Sequence, residues 1–584
     1  MERFEYDTNP ASAGSRRIGS CFPLLWLLVP QILAYVYCGN VPWASDGVSA
    51  RLVAGALLLG VAAAACVAEY FSEEKSSLAR AASGIWRMSF PLSAFFFFCV
   101  WWQAVVPPVA DGASFSPRET SAEIRIERTF RTTEKNYNGI GIVEKISDEQ
   151  ISQSMTGARV WYSVSRTLLP DAEDSFAEGA RLRVSGVVRG VYADGLSSEG
   201  FVDFLKRERV GAFFSVKESA EFVPGSDGAF ARFCGKAKAT LRARLAEISA
   251  SENPNSFFPV SGKILGAMLL GERSLLTVEQ NENFLLTGTI HIFSVSGLHI
   301  TMLATGVFFL LNFLRLPRFV SWTTALVVLW FYVQIVGAPP SAMRAWLMIF
   351  FIFLGNAFGR GGNSFHGLLF SAFFALLLEP LVLNNAGFRL SYLVVAAILL
   401  YGVPAAERLN RVCNFNRWIP AAALSRRRKF FAWITRGAID GFCISVAAFL
   451  AGTPCVISLF GFCSFLSLPS NVLLVPLVVL ASWFGAAAAV VALIPVVGVF
   501  LGKIIFIFCA IPLAAVNFGT SVLARIPGIA ELSFPHPAAG AIGSALMLLL
   551  FFFGEIFSPL RENSWLRFSL PPLALAVFLL LLSI

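Results

Sequence analysis

Residues 288–300 read Gly-Thr-Ile-His-Ile-Phe-Ser-Val-Ser-Gly-Leu-His-Ile and lie within an otherwise apolar stretch that runs from 283 to 314. A stretch of this length suits a helix that crosses a membrane. Polar side chains at membrane depth are costly unless they face protein or water, and Gly297 loosens a helix. We therefore expect a broken or polar spanning segment that lines a cavity. The alternative is that its polar side chains only form hydrogen bonds between helices.

The composition of the whole chain also indicates a membrane protein. Of its 584 residues, 14% are charged and 56% are hydrophobic, whereas a soluble globular protein carries about 25% charged residues. Apolar runs at 22–38, 51–68 and 88–106 come before residue 107. The remaining candidate spans are 283–314, 319–337, 341–358, 366–384, 388–403, 437–460, 469–495, 497–523, 539–557 and 568–583.

The distribution of charge predicts how the chain crosses the membrane. Its net charge is +9, and the surplus lies in short loops such as 404–432, whereas 107–258 is nearly neutral. This bias is typical of cytoplasmic loops, so the net charge does not by itself indicate nucleic-acid binding. Arg16 and Arg17 predict a cytoplasmic N-terminus, and three crossings then place residue 107 outside the cell membrane.

The polar region after residue 107 alternates with a period of two, as β-strands do. The predicted strands are 121–131, 138–146, 158–166, 180–191 and 211–222, with a helical insert near Phe201–Arg207. Five short strands with such an insert fit a small OB-like barrel. An amphipathic helix is predicted over 232–249. The expected fold is a polytopic α-helical membrane protein with an inserted all-β, OB-like soluble domain near the N-terminus.

Prolines interrupt the apolar runs after residue 437, where the topology is harder to assign. Pro454, Pro469, Pro476 and Pro495 fall within or beside the candidate spans. Proline removes a helical hydrogen bond, so half-helices or re-entrant segments are expected here.

Two arginines enter apolar spans from the predicted outer side. Arg344 follows Pro339 and Pro340, and Arg389 precedes Ser391 in the next interrupted stretch. Arg344 is expected either to snorkel to the outer headgroups or to contact phosphate at the mouth of an aqueous path. Arg389 is expected either to contact phosphate in the same way or to form an ion pair with Glu379.

The sequence does not favour enzymatic chemistry. Ser296 and His299 are close in sequence, but no carboxylate lies nearby to orient the imidazole. The four histidines are too few and too scattered for a zinc site, and no phosphate-binding Walker loop is present. We therefore expect no catalytic residues, no metal and no cofactor, and any ATP-driven pulling must come from another protein.

Several motifs together resemble one family. Ser294-Val-Ser-Gly-Leu-His299 in a membrane span resembles the signature of the ComEC family, the inner-membrane DNA-uptake channels of bacterial natural transformation. The other similar segments, in the family's order, are Gly200-Phe-Val-Asp-Phe-Leu205 with Gly211, Gly266-Ala-Met-Leu-Leu-Gly-Glu-Arg273, Ser341-Ala-Met-Arg344, Gly387-Phe-Arg-Leu-Ser391, Thr453-Pro454, and Asn471 with Pro476. The resemblance covers roughly residues 138–500.

The resemblance implies a channel that passes one DNA strand into the cytoplasm while the other strand is degraded. The OB-like domain would meet DNA first, by stacking bases on aromatic side chains. The implied partners are single-stranded DNA, membrane lipid, a DNA receptor, a separate nuclease and a cytoplasmic ATP-driven motor. The expected lining and DNA-contact residues are Ser294, Ser296, Gly297, His299, Arg344, Arg389 and Ser391.

The resemblance also implies a division of the chain. We expect N-terminal transmembrane helices over 1–106, the extracytoplasmic OB-like domain over 107–230 and an amphipathic linker helix over 231–262. A competence-type channel domain would cover 263–530, and C-terminal transmembrane helices 531–584. The family's C-terminal zinc motif, His-x-His-x-Asp-His, does not occur, so no nuclease activity is expected here.

Two other functions fit the same pattern. Broken helices with polar groups near the midplane also suit a transporter or flippase for a small or lipid-linked substrate, although no inverted internal repeat is visible. A scaffold without transport activity is the third possibility, and it predicts that replacing Arg344 or His299 costs little beyond folding.

Overall fold

The structure is a computed structural model, and it describes most of the chain. The described residues are 22–40, 77–106, 117–129, 136–169, 179–190, 201, 204–205, 208–223, 229–251, 257–293, 295–359, 363–413, 425–495, 497–532, 534, 538–556 and 564–583. The chain divides into two compact units. One unit comprises Trp26–Thr240 and Ala375–Asn384, and the other comprises Met1–Leu25, Leu241–Phe374 and Asn385–Ile584.

The first unit contains two apolar helices and a β-barrel. The helices are α1 (Phe22–Asn40) and α2 (Ser77–Val105). The elements that follow are β1 (Arg118–Thr129), β2 (Asn136–Ile146), α3 (Glu149–Met155), β3 (Arg159–Ser165), β4 (Arg181–Gly190) and β5 (Val210–Phe222). All five strands predicted from the sequence are confirmed within a few residues, whereas the predicted span 51–68 lies outside the described residues.

The strands close into a barrel in the order β1-β2-β3-β5-β4, with β3 and β5 parallel and the other pairs antiparallel. Alternate side chains of each strand point inward, so Ile124, Val160 and Leu182 are fully buried. Burial raises the pKa of Tyr162 to about 12, and this phenol therefore stays neutral in the barrel interior. The OB-like fold expected from the sequence is confirmed.

A smaller apolar cluster covers part of the barrel's outer face. Trp161 contacts the rings of Phe201 and Phe204 edge-on at 5.1 and 6.2 Å, and Leu205 is buried beside them. The described aromatic side chains of the barrel are buried or partly buried. The base stacking expected of this domain stays a prediction.

The rest of the chain is mostly helical. Its helices are α4 (Ala229–Ser249), α5 (Phe257–Leu270), α6 (Val278–Leu286), α7 (Gly297–Phe313), α8 (Arg318–Ile335), α9 (Pro340–Ala357), α10 (Ser364–Leu378), α11 (Ala386–Ala397), α12 (Val403–Val412), α13 (Arg426–Phe460), α14 (Ser467–Val491), α15 (Gly498–Leu523), α16 (Ala538–Ile556) and α17 (Ser564–Ser583). A π-turn, Ile398–Gly402, joins α11 to α12. Two short strands, β6 (Phe462–Ser464) and β7 (Ile529–Glu531), pair antiparallel.

Six helices in the described part of the chain are long and apolar enough to cross a membrane. They are Arg318–Ile335, Pro340–Ala357, Ala386–Val412, Arg426–Phe460, Ser467–Val491 and Gly498–Leu523. Shorter apolar helices accompany them, including α7 and α10. The chain is therefore a multi-pass membrane protein, as its composition predicted.

The break predicted within 283–314 is confirmed, since the stretch consists of α6, a 3-10 turn at Ile290–Phe293, and α7. Gly288 ends the first piece in the left-handed region, at φ +69°, and Ser296 begins the last as its N-cap.

The interruption predicted at Pro454 and Pro476 was wrong, because both residues lie inside continuous helices, α13 and α14. Packing within a membrane domain tolerates the missing hydrogen bond.

We predict that Gly139→Ala destabilises the barrel. A Cβ at this position would collide with the Tyr162 hydroxyl and with the carbonyl oxygen of Arg128, and overpacking of this kind costs about 1–3 kcal/mol. The midpoint of thermal unfolding of the purified full-length chain, followed by tryptophan fluorescence, should fall. The matched control is Gly235→Ala in α4, where no atom lies within 4 Å of the new Cβ. Equal midpoints for both variants would contradict the packing described here.

Candidate functional site

The break between α6 and α7 is built from polar groups that satisfy one another. The Thr287 and Thr289 hydroxyls lie 2.8 Å apart, and both side chains are fully buried. The Ser464 hydroxyl donates to the carbonyl of Leu286 at 2.6 Å. Irregular backbone at membrane depth is tolerated where protein supplies such hydrogen bonds, so the break is a stable feature of the fold.

His299 lies in the first turn of α7 and is 1% exposed. The backbone N–H of Ser296 donates to His299 Nδ1 at 3.3 Å, and the Ser296 hydroxyl lies 3.1 Å from the same nitrogen. Because Nδ1 accepts a hydrogen bond, the proton of the neutral imidazole is on Nε2. Nε2 is buried and has no partner among the described residues. The ring therefore keeps one donor available inside the helical domain.

Arg344 lies one turn into α9, which begins with Pro340. Its side chain is buried, with 7% of the residue exposed. Its Nε donates to the Ser391 hydroxyl at 2.8 Å, and one terminal nitrogen contacts Met348 Sδ at 3.6 Å. Among the described residues no acidic side chain pairs with it. The guanidinium points into the protein, so the snorkelling alternative was wrong.

Gly297 allows the guanidinium to occupy this position. A Cβ at residue 297 would lie 2.6 Å from the second terminal nitrogen of Arg344, so any larger residue would displace it. The Ser341 hydroxyl donates to the carbonyl of Val295 at 2.7 Å and ties the start of α9 to the residues before α7. The Tyr392 ring centroid lies 5.9 Å from the guanidinium carbon. Three helices, α7, α9 and α11, thus converge on one cation.

The structure brings together most of the residues predicted from the sequence. Ser296, Gly297 and His299 form the start of α7, and Arg344 contacts both Gly297 and Ser391. Ser294 lies outside the described residues.

Arg389 does not take part in this cluster. It is two residues before Ser391, which is about 200° around a helix, so it faces another side of α11. Glu379, considered as its partner, has a carboxylate oxygen 3.8 Å from Arg128.

Sequence reasoning missed the contributions of Ser341, Met348 and Tyr392. Ser341 and Met348 lie one turn before and after Arg344, and Tyr392 follows Ser391 directly. Helical spacing from Arg344 is the signal that would have found the first two.

The described residues of the cluster offer hydrogen-bond donors for an anion but do not form the triad of a serine hydrolase. Ser296 contacts His299, but no carboxylate orients the ring, as a serine hydrolase requires. No group of three His, Cys, Asp or Glu among the described residues could hold a metal ion. What remains are N–H donors on Arg344 and on His299 Nε2, which suit phosphate or carboxylate oxygens.

Comparison with known proteins adds a family assignment. Residues 268–557 match the family model described as "Competence protein". ComE operon protein 3 of Bacillus subtilis (strain 168) is 26% identical over 235 residues, which is 40% of this chain and 27% of that protein. An uncharacterized protein of Aquifex aeolicus (strain VF5) is 35% identical over 136 residues, which is 23% of this chain and 32% of the relative. No solved structure matches the chain significantly.

We predict that Ser391→Ala destabilises the helical domain. The substitution removes the acceptor for Arg344 Nε and leaves a buried charged donor unsatisfied, at a cost of about 1–3 kcal/mol. The thermal unfolding midpoint of the detergent-purified chain should fall. The control is Ser521→Ala, where the lost hydroxyl only donates to the Phe518 carbonyl of its own helix. If the control variant loses as much stability, the contact with Arg344 has no special role.

Proposed function

We propose that the protein is an inner-membrane channel for single-stranded DNA. Residues 268–557 match the family model described as "Competence protein", which agrees with the motif resemblance to the ComEC family. The strand would enter the cytoplasm during natural transformation. The chain covers only 27% and 32% of its two curated relatives, so activity, substrate and partners are all part of this proposal. The channel role requires no covalent chemistry from the chain.

The observation that carries the proposal is the buried guanidinium of Arg344. Burying a charge costs several kcal/mol unless a partner compensates it, and among the described residues Arg344 is contacted by a hydroxyl, a thioether and the face of the Tyr392 ring. Its charge is held in position but not neutralised. A passing phosphate oxygen would complete the site.

The composition of the site suits transport better than tight binding. Conduction requires a ligand to bind well enough to enter and weakly enough to leave. One arginine, with a neutral imidazole N–H as a second donor, offers each phosphate a modest and reversible contact. The neighbouring hydroxyl of Ser296 could accept or donate as the strand advances.

The remaining parts of the chain take roles consistent with this path. The N-terminus would lie in the cytoplasm, and the OB-like barrel outside it. The barrel's partly exposed rings, such as Phe213 beside Arg189, would stack on bases of the incoming strand. A DNA receptor, a separate nuclease and a cytoplasmic ATP-driven motor are the proposed partners, along with membrane lipid.

A transporter or flippase is the second candidate, and the break between α6 and α7 favours it equally. The same buried cation would then bind a small or lipid-linked anion. This candidate differs from the channel in one measurable respect: a gene deletion would leave DNA uptake intact.

We predict that Arg344→Gln lowers uptake of labelled double-stranded DNA into a nuclease-protected cytoplasmic pool. A hydrogen bond to a charged group contributes about 1.5–3 kcal/mol, so uptake should fall at least about tenfold. Arg344→Lys keeps the charge but loses the planar fork, and an intermediate rate is expected. DNA binding at the cell surface should not change in either variant.

The control variant is Arg525→Gln, which removes an exposed arginine outside the cluster and should leave uptake unchanged. Normal uptake in a complete gene deletion would exclude the channel function and favour the transporter. Normal uptake in Arg344→Gln alone, with a defective deletion strain, would exclude the proposed role of Arg344.

A further inference from the structure

The N-terminal end of α13 combines cations and exposed aromatic rings. Arg426, Arg427, Arg428, Lys429 and Arg436 are its basic residues, and no acidic residue occurs between 426 and 439. Phe430, Phe431 and Trp433 are 58%, 66% and 72% exposed. These eight residues are called the α13 basic–aromatic segment below. None of the five cations forms an ion pair with the described residues.

This segment extends beyond the part of α13 that packs in the protein. The helix has 35 residues and is therefore about 52 Å long, whereas the hydrocarbon core of a membrane is about 30 Å thick. The first buried residue of α13 is Cys443, and every residue from 425 to 438 is exposed. Asp440 accepts a hydrogen bond from Asn410 at 2.6 Å and marks the point where the helix joins its neighbours.

The cations and the aromatic rings are interleaved around the helix surface. Phe430 and Trp433 are three residues apart, and their rings stack with centroids 6.3 Å apart and an interplanar angle of 25°. At 100° per residue, Arg426 lies on the same side as these two rings, whereas Arg428 lies on the opposite side, about 60° from Phe431. The positive-inside rule places this end of α13 in the cytoplasm.

We propose that the α13 basic–aromatic segment binds single-stranded nucleic acid where the strand leaves the channel. Proteins bind single strands through cations that contact phosphates and aromatic rings that stack on bases, and both groups are exposed here. None of the described aromatic rings of the barrel is as exposed as these three rings of α13. The inference rests on the proposed channel function and assigns its cytoplasmic exit contact.

An interfacial helix that binds anionic lipid is the competing occupant. Such a helix lies in the plane of the membrane with its apolar half buried. The α13 basic–aromatic segment continues without interruption from a membrane-spanning helix, so it points away from the membrane rather than along it. The geometry therefore favours a ligand in the cytoplasm.

The test uses the full-length chain in nanodiscs of phosphatidylcholine and a fluorescent oligothymidylate, measured by anisotropy. The double variant Phe430→Ala/Trp433→Ala should bind at least about tenfold more weakly, since stacking contributes about 1–3 kcal/mol per base. Phe430→Tyr/Trp433→Phe keeps both rings and should bind as the wild type does. The matched control is Phe500→Ala/Phe518→Ala on α15, which removes two exposed rings without neighbouring arginines. Duplex DNA of equal length should compete poorly.

Wild-type affinity in the double alanine variant, or equal losses in the α15 control, would overturn the inference. Failure of the wild-type chain to bind the oligothymidylate in phosphatidylcholine nanodiscs would also overturn it, in favour of the lipid surface. DNA uptake measured in the same variants separates the two proposals. If Phe430→Ala/Trp433→Ala binds the oligothymidylate more weakly as expected, but a gene deletion takes up DNA normally, the channel function is contradicted. If Phe430→Ala/Trp433→Ala binds as the wild type does, but Arg344→Gln is defective in uptake, only the α13 contact is contradicted.

Discussion

The fold of the helical domain is organised around a positive charge that lies among apolar helices and has no acidic partner in the part of the chain that the structure describes. Arg344 can remain there because Ser391 accepts its Nε proton and Gly297 leaves space for its terminal nitrogen. Both conditions constrain the chain. α7 must begin at Gly297, so the apolar stretch before it must be broken. α11 must also present Ser391 toward α9, which places Arg389 on another side of the same helix.

The barrel and the cation cluster lie in different parts of the chain. The barrel lies before residue 268, where the matched family region begins, and many of its aromatic residues stabilise its own interior and outer face. The most exposed aromatic residues with cations beside them are at the start of α13. In the proposed channel, Arg344 would contact phosphate, and the rings of α13 would stack on bases at the exit.

Most of the fold could be predicted from the sequence because its signals are local. The strand at 181–190, for example, alternates charged and apolar residues through Arg181, Leu182, Arg183 and Val184, and that period of two determines which face is buried. Apolar length similarly predicted most spans. Pro454 and Pro476 misled the prediction because their effect depends on packing with neighbouring helices, which local sequence does not contain. The residue types of Arg344 and Ser391 suggested both as site residues. Their hydrogen bond joins residues 47 positions apart, so the contact depends on the tertiary fold and could not be predicted from local sequence.

The proposed channel function requires that Arg344, which is buried in this structure, becomes accessible from an aqueous path that DNA uses. Arg344→Cys, in a chain whose ten native cysteines are replaced by alanine or serine, allows a direct measurement with a water-soluble cationic methanethiosulfonate reagent on the reconstituted protein. We expect the new thiol to react, single-stranded DNA to slow the reaction, and the attached cation to restore part of the uptake. A thiol that does not react, or one whose reaction rate is the same with and without DNA, would contradict it.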